Sequence, residues 1–574
     1  MRPVPQSRHP LAVLILIGVS AAGGCLAFRD DRLSKWQMSV ATSALKERQP
    51  ELFACDSIFG SNRQELWRLN NPVLQGMLKL VLVPTGYGDP SLPFRMMAGV
   101  VLLVFLCSMY ALLYRQCRSW SIAAFVAVAS CRVINTLGTA RWGAGPLASV
   151  TPPTICLAVV PLVVLAYLRY EDDWRLALVF AATGLLGNLH LATGANLAVV
   201  LLLAYLGRRR FSLRAWTRAI PCGLLAAAVA IPHAWYYIGL RMWIRQAGGQ
   251  AAPQPAQNFW QLAKANPDAL KSIMGLLYPE ILKDLLGWGL IVLVLAIPAA
   301  VVLFRVERYR VRDLAFWVWF LAAGFIVSLG FQGVCQGAGM LAGTAPPAID
   351  FYEASSLVMV PLYVMFAQAT THLFRIAGTH KRLMVWACAA FLAAWMVPSD
   401  NLRLLRYGAL EAATSFMDEP DKPAAMRRFH RKQQERNELV HIAAWAAEHS
   451  DASAVFVIDS IEFRLRARRA ITTSSDDVGY FYYLAPDRLE GWLALATEQS
   501  TILQPPTTGR VDAKAMEGFI RRLAAQPEFR QAGQWYAILS AAAAPERSWG
   551  LEEVASGDWG RHYCLYHLPA AREE

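Results

Sequence analysis

The chain has 574 residues, of which 55% are hydrophobic and only 17% are charged. This is too little charge for a soluble protein of this length, so a soluble enzyme is excluded. The net charge of +13 comes mainly from arginines between apolar stretches, so it gives no support to a nucleic-acid partner. The ten cysteines are scattered without metal-like spacing, and no divalent metal is indicated.

Eleven apolar stretches follow one another along the chain, most of them near the roughly 20 residues that cross a bilayer core. The fifth and sixth are short and meet at His190, so they form either a tight hairpin or one long broken helix. The predicted spans are 11–28, 94–114, 120–137, 152–168, 176–189, 191–206, 219–239, 285–304, 314–332, 355–374 and 382–398.

Arginine placement predicts the orientation of these spans. Every second connection is basic, as in Arg115 with Arg118 and in the run 208–218, whereas 333–352 has no lysine or arginine. The positive-inside rule therefore predicts a cytoplasmic N-terminus and an extracytoplasmic segment 399–574. The first apolar run continues to Phe28, which favours an uncleaved anchor over a signal peptide.

Three segments on the predicted outer side are long: 29–93, 240–284 and 399–574. The last alternates helix and strand patterns, which predicts a small α/β domain with a parallel or mixed sheet. The predicted fold class is therefore mainly α, with a transmembrane bundle of about 11 spans over 1–398 and an extracytoplasmic α/β domain over 399–574. The elements predicted there are helices at 438–448 and 514–525 and strands at 454–459, 469–473 and near 563–566.

Asp56 is the first candidate for chemistry. It lies in the first outer loop between apolar residues, and a carboxylate held in a partly apolar pocket can act as a general base. An Asp-Ser pair followed by two apolar residues is also typical of a turn or a helix cap, so this alternative stays open.

Other polar residues fall inside or beside the predicted spans. Arg132 is a candidate for phosphate binding or for an ion pair, because a charge at bilayer depth is costly without a partner. His190 and His233 are more often packing residues than ligands. Asp350 and Glu353 face a cavity opposite Asp56 or cap the helix that follows them.

The order of these features resembles the GT-C superfamily of membrane glycosyltransferases, which use polyprenyl-phosphate-linked sugars. The resemblance covers nearly the whole chain and is closest to an uncharacterised bacterial branch of this layout, which implies a bacterial inner (plasma) membrane. The first loop has no Asp-Glu pair and the last segment no WWDYG-like signature, which argues against a metal-dependent oligosaccharyltransferase. The runs that carry the resemblance are 51–60, 149–153, 187–190 and 463–469.

The resemblance implies a transferase in which Asp56 is the base and a cation holds the lipid phosphate. Its partners would be membrane lipids, a polyprenyl-phosphate-linked sugar donor and an unknown acceptor (lipid, glycan or protein), with no cofactor beyond the donor. The substrate-binding candidates are Arg132, Arg141, His190, Arg241, Asp350, Glu353 and Arg469. The alternative is a noncatalytic assembly protein or a transporter of cell-envelope glycolipids, although the two halves show no internal repeat.

Overall fold

A computed structural model describes most of the chain. The described residues are 9–29, 32–60, 66–69, 72–86, 88–132, 150–247, 259–260, 295, 313–343, 350–504, 510–526, 529–544, 552–554 and 559–568.

Helices dominate the first part of the chain. They are α1 (His9–Arg29), α2 (Lys35–Arg48), α3 (Pro72–Leu82), α4 (Leu92–Cys117), α5 (Trp120–Ala129), α6 (Pro152–Tyr170), α7 (Leu176–Leu189), α8 (Leu191–Arg208), α9 (Leu213–Ala247), α10 (Leu314–Phe325), α11 (Gln332–Ala342), α12 (Met359–Ile376), α13 (Lys381–Met396) and α14 (Arg403–Ala413). A π-helical turn, Ile326–Phe331, joins α10 to α11, and a 3₁₀ helix, Phe351–Val358, leads into α12.

Among the described residues, seven helices are long and apolar enough to span a membrane, or eight if the bent pair α13 and α14 is one span. The prediction of a multi-pass helical membrane protein is therefore confirmed. Within the predicted span 120–137, α5 ends at Ala129, and residues 133–137 lie outside the described residues. The predicted span 176–189 is a short apolar helix. The predicted span 285–304 lies outside the described residues, apart from position 295.

The long helix α9 shows how the bundle fits a bilayer. Trp216, near the start of α9, and Trp235, in its second half, are both exposed, and their positions place them roughly 28 Å apart along the axis. Amphipathic tryptophans favour membrane–water boundaries, and this spacing matches a hydrocarbon core. From Ala219 to Ala234 the exposed residues of the helix are all apolar, as lipid contact requires.

The junction of α7 and α8 is a tight hairpin. His190 interrupts the helix with an extended backbone (φ −149°, ψ 103°), and the two helices then pack together. Gly194 lies so close to Gly187 that a Cβ atom there would be 2.4 Å from the Gly187 nitrogen. Only glycine allows this approach. Residues seven positions apart along one helix would be separated by roughly 10 Å, so the chain reverses at His190 and the alternative of one long broken helix is wrong.

The C-terminal segment contains α15 (Ala424–His449) and a five-stranded sheet of order β2-β1-β3-β5-β4. β1 pairs in parallel with β2 and β3, whereas β5 is antiparallel to β3 and β4, so of the two predicted alternatives, parallel or mixed, the sheet is mixed. The remaining elements are β1 (Val455–Val457), α16 (Ile461–Ala467), β2 (Ala470–Ile471), α17 (Val478–Leu484), α18 (Leu489–Leu503), α19 (Ala513–Ala524), β3 (Trp535–Ser540), β4 (Glu552–Glu553) and β5 (Tyr563–Leu568).

The first loop shares a hydrophobic core with this segment. Cys55 is buried among side chains of β1, β2 and β3, and the Phe59 ring meets Tyr480 of α17 edge-on at a centroid distance of 6.2 Å. Tyr237 of α9 donates a hydrogen bond to the Tyr483 carbonyl at 2.8 Å, so the segment also contacts the bundle. We call this end of the bundle the domain end and the other the Arg-rich end.

Candidate functional site

Asp56 lies in a tight turn of the first loop. Its Oδ1 accepts hydrogen bonds from the backbone N–H groups of Ile58 at 2.9 Å and Phe59 at 3.1 Å. Phe53 enters the turn with a left-handed backbone (φ 60°). This is the turn role that the sequence left open as the alternative to catalysis.

The second oxygen of Asp56 belongs to a buried ion triad formed by Asp56, Arg464 and Asp477. Arg464 Nε donates to Asp56 Oδ2 at 2.8 Å, and its two terminal nitrogens donate to the Asp477 carboxylate at 2.9 and 2.7 Å. The backbone N–H of Ile471 also donates to Asp56 Oδ2, at 3.2 Å. The side chains of Asp56 and Asp477 are 0% exposed and that of Arg464 is 1% exposed.

The electrostatics of the triad reflect two carboxylates sharing one guanidinium. Burial works against the charge of Arg464, but Asp477 and Asp56 raise its pKa above the ordinary value. Burial raises the pKa of Asp477, and Asp56 adds to this effect, although Arg464 opposes it. The Asp56 carboxylate already accepts four hydrogen bonds. Its role as a base therefore stays a prediction, and that role requires the contact with Arg464 to open.

A second group of polar side chains, the hairpin cluster, consists of His190, Thr193 and Glu353. His190 Nδ1 is 2.9 Å from Thr193 Oγ1 and 3.4 Å from Glu353 Oε2. Thr193 Oγ1 donates to the same Glu353 oxygen at 3.2 Å. The Glu353 side chain is 6% exposed and that of His190 is 26% exposed, so the imidazole lies between a buried carboxylate and solvent.

Asp350 lies beside the hairpin cluster, whereas Arg241 lies on α9. Asn196 of α8 donates to the Asp350 carbonyl at 2.9 Å, which ties the 3₁₀ segment to the hairpin. Burial raises the pKa of Tyr482 in α17, and Asp350 and Tyr237 add to this, so all three belong to one region. Arg241 follows Tyr237 by one helical turn and is half-buried. The structure thus brings His190, Asp350 and Glu353 together.

Arg132 follows the end of α5, in a separate part of the bundle. Its guanidinium carbon lies 3.8 Å from the ring centroid of Trp395 in α13, and its Nε is buried. Among the described residues, the side chain forms no ion pair and no hydrogen bond. Within the described residues, the N–H donors of the half-buried Arg132 side chain therefore have no acceptor.

The remaining candidates lie elsewhere. Arg469 donates to Ser450 Oγ at 3.1 Å, to the Ser450 carbonyl at 2.6 Å and to the Ala447 carbonyl at 3.0 Å, so it closes the C-terminal end of α15. The alternating arginines of the run 463–469 would also suit a basic strand, but Arg464 and Arg466 belong to the helix α16. Arg141 lies outside the described residues.

A polar cleft of about 550 Å³ lies at the Arg-rich end. Burial raises the pKa of its Glu171, although Arg208 and Arg209 oppose this effect. Arg208 pairs with Glu171 and lies 3.9 Å from Asp313. These charges compensate one another and connect the α6–α7 turn to the start of α10.

Sequence reasoning missed Thr193 and Asp477. Thr193 follows His190 by three residues, the spacing at which an N-cap side chain meets the first turn of a helix. Asp477 precedes α17 after two serines, a pattern that indicates a cap and gives no sign of an arginine partner. Its pairing with Arg464 depends on the fold.

These features define a multi-pass membrane protein with polar groups gathered where its bundle meets an α/β segment. No family model and no curated protein matches the chain. Among solved structures, the chain is similar to ArnT from Cupriavidus metallidurans bound to undecaprenyl phosphate. The match covers 97% of this chain and 98% of that one, with 12% identity and a TM-score of 0.41. A similarity of this size carries no argument about the site or its substrates.

Proposed function

We propose that this protein is an integral membrane glycosyltransferase that moves a sugar from a polyprenyl-phosphate-linked donor to an extracytoplasmic acceptor. The observation that carries the proposal is Arg132, a half-buried cation stacked on Trp395 whose side chain has no carboxylate partner among the described residues. A cation beside transmembrane helices is costly without an anion. The phosphate of a membrane lipid reaches this depth while its hydrocarbon chain stays in the bilayer.

The position of Arg132 favours a lipid headgroup as the anion. α5 begins beside the basic connection that contains Arg118, so its other end points towards the domain end. Asn401, just after α13, donates to the Cys131 carbonyl at 3.3 Å, which places Arg132 near the exit of the chain towards the C-terminal segment. Guanidinium groups bind phosphate oxygens through paired N–H donors, and the indole ring orients the plane of the guanidinium.

The hairpin cluster supports the transfer half of the proposal. An acceptor hydroxyl loses its proton as it attacks the anomeric carbon, so the site needs a proton acceptor at the domain end. His190 and Glu353 are titratable groups there, with the imidazole partly exposed. Asp56 is the competing base within the same proposed function, and its use requires Arg464 to move.

The experiment compares Arg132→Gln with the wild type, both purified and reconstituted in lipid vesicles. Undecaprenyl phosphate binding is followed by the fluorescence of the tryptophans, because Trp395 lies against Arg132. Loss of charge-assisted hydrogen bonds is expected to weaken binding about tenfold or more. Arg375→Gln removes an exposed arginine from the Arg-rich end and serves as the matched control.

Transfer is measured on the same samples with a panel of labelled sugars linked to undecaprenyl phosphate. The proposal expects at least one donor to be consumed by the wild type and far more slowly by Arg132→Gln. Equal lipid-phosphate binding in both proteins would overturn the role of Arg132. Failure of every donor would overturn the transferase itself.

A noncatalytic assembly role has one observation in its favour, because the carboxylate of Asp56 is committed to a structural ion pair. In that case the wild type binds undecaprenyl phosphate and consumes none of the donors. The binding and transfer measurements therefore separate the two functions.

A further inference from the structure

The chain bends sharply where α13 ends. Pro398 has no N–H to continue the helix, and Ser399 has an extended backbone (φ −63°, ψ 139°) before the chain becomes helical again. The helical stretch Asp400–Ala413 is bent by 84° from Lys381–Met396. α13 is a predicted span, and transmembrane helices tilt only modestly from the bilayer normal, so α14 lies close to the membrane plane.

Contacts with two other membrane helices place α14 at the membrane boundary. Asn401, just before α14, donates to the Cys131 carbonyl just after α5, at 3.3 Å. The guanidinium carbon of Arg32, three residues after the end of α1, lies 5.9 Å from the ring centroid of Phe429 in α15. Tyr407 of α14 stacks on the same ring, with centroids 4.2 Å apart. α14 and the first turns of α15 therefore form a corner, the α14–α15 corner, at the level where α1 and α5 end.

An apolar stripe runs along α14 and into the turn that follows it. Its members recur at spacings of four, three and four residues and are Leu405, Ala409, Ala412 and Phe416. This spacing follows one helix face, opposite the face on which Tyr407 contacts α15. All four are exposed, Leu405 by 51% and Phe416 by 79%. Val397 at the end of α13 is also exposed, so the stripe continues the lipid-facing surface of that helix.

Exposed cations cover the adjacent turns of α15. They lie one helical turn apart in two pairs and are Arg427, Arg428, Arg431 and Lys432. Arg431 Nε is 3.6 Å from Glu435, and the other three form no ion pair with the described residues. Acidic residues lie mainly in the preceding turn, where Glu419 pairs with Lys422 at 2.8 Å. Cations near a helix N-terminus oppose the helix dipole, so the stability of α15 does not account for them.

We propose that the α14–α15 corner is a docking surface for anionic phospholipid in the leaflet at the domain end. The apolar stripe enters the boundary between headgroups and acyl chains, and the cations of α15 bind lipid phosphate groups. Arginine donates paired N–H groups to phosphate oxygens, and each cation near the surface adds to the attraction for anionic lipid. Docking fixes the start of the C-terminal segment against the bilayer. This inference does not rest on the proposed glycosyltransferase function.

The first experiment identifies what covers the stripe. The full-length protein carries p-benzoylphenylalanine in place of Phe416, is placed in nanodiscs of phosphatidylcholine mixed with phosphatidylglycerol, and is illuminated. We expect phospholipid adducts, detected by mass spectrometry. The same replacement at Glu448 is the matched control, because this exposed residue lies roughly 30 Å along α15 from Arg428. It should give at least about tenfold fewer lipid adducts, since an interfacial helix face reaches only lipid beside it.

The second experiment tests the cations with the same probe at Phe416. Phosphatidylglycerol is expected to be enriched among the adducts about threefold or more over its share of the disc. A fourfold variant should lose this enrichment, and its changes are Arg427→Gln, Arg428→Gln, Arg431→Gln and Lys432→Gln. A control of equal charge removes exposed cations on and after α19 and should keep the enrichment; its changes are Lys514→Gln, Arg521→Gln, Arg522→Gln and Arg530→Gln. Both variants alter exposed side chains and should keep the unfolding temperature.

Each outcome decides one part of the inference. Lipid adducts at Phe416 with enrichment that depends on the α15 cations support it as a whole. Adducts to a second copy of this chain, or no adducts, overturn the docking surface. Lipid adducts that match the composition of the disc, or an enrichment that survives the fourfold variant on α15, overturn the recognition of anionic headgroups.

Discussion

The ion triad and the hairpin cluster both join distant parts of the chain through a carboxylate and a nitrogen base, yet they differ in exposure. In the triad every charged group is buried, and the Arg464 guanidinium donates its hydrogen bonds to two carboxylates. In the hairpin cluster the carboxylate is buried but the imidazole of His190 reaches solvent. A saturated, buried pair stabilises one arrangement, whereas a partly exposed base can exchange protons.

The difference teaches that an acidic residue in the expected loop is a poor guide to chemistry by itself. Asp56 has the position that the sequence resemblance favours, and its surroundings are those of a structural contact between the first loop and the C-terminal segment. Glu353 has the weaker sequence signal and the more reactive neighbour. The predictions that follow treat these two regions as a contrast between stability and activity.

The all-or-none prediction concerns the side of the membrane on which both regions lie. The arginine asymmetry predicts that reporter fusions at Arg209 report the cytoplasm and fusions after Pro398 the exterior. Paired phosphatase and fluorescence reporters measure this directly. A cytoplasmic signal after Pro398 would place both regions on the wrong side for an extracytoplasmic acceptor.

The largest expected effect on stability is that of Arg464→Met. The change leaves the carboxylates of Asp56 and Asp477 buried without their cation, which should cost about 3 to 5 kcal/mol. Thermal unfolding and limited proteolysis of the purified protein measure the loss. Arg466→Met is the control, since its partly exposed pair with Glu462 should contribute less than about 1 kcal/mol. Equal stability of the two variants would contradict the account of the triad.

The hairpin should respond to a single methyl group. Gly194→Ala places a Cβ atom 2.4 Å from the Gly187 nitrogen, so the helices must separate, with an expected cost of about 1 to 3 kcal/mol. The same change at Gly223 meets its nearest atom at 3.7 Å and should be neutral or stabilising. Unfolding midpoints in detergent compare the two, and similar midpoints would show that the hairpin tip is loosely packed.

The smallest expected effect is a pH dependence in the C-terminal segment. Burial opposes ionisation of Glu438, but hydrogen bonds from His562 and from the Tyr563 N–H lower its pKa below the usual value near 4.5. Because the pKa of Glu438 is lower in the folded state, the ionised carboxylate stabilises the fold at pH values above 4.5. This stabilisation is lost as the pH falls from 4.5 through the folded pKa. Glu438→Gln should therefore flatten the loss of stability at acid pH. If the variant lost stability at acid pH in the same way as the wild type does, ionisation of Glu438 would not be the cause of that loss.

The sequence predicts the helices because apolar runs and arginine placement are local signals. It also predicts β1, β2 and β5 from short apolar runs between helices, and a sheet that is either parallel or mixed. The triad is different, because Asp56 and Arg464 are more than 400 positions apart, and their contact depends on how the loop packs on the sheet. The conformation of the run 463–469 is ambiguous in sequence for a related reason, since alternating arginines suit either a strand or a helix, and the structure has a helix there.

The candidate site was predicted in part. His190, Asp350 and Glu353 stand out in sequence as polar residues beside apolar spans, and the structure brings them together. Their grouping depends on the backbone break at His190, which no local pattern distinguishes from a continuous bent helix.

The central claim is that the triad stabilises the fold and that transfer depends on groups outside it, and one paired measurement tests it. Arg132→Gln and Asp56→Asn are purified, and transfer per folded molecule is measured together with the unfolding temperature. The account predicts that Arg132→Gln nearly keeps its unfolding temperature and transfers far more slowly, while Asp56→Asn unfolds earlier and keeps its rate per folded molecule. The reverse pattern, with transfer abolished in a fully stable Asp56→Asn, would contradict the account and make Asp56 the base.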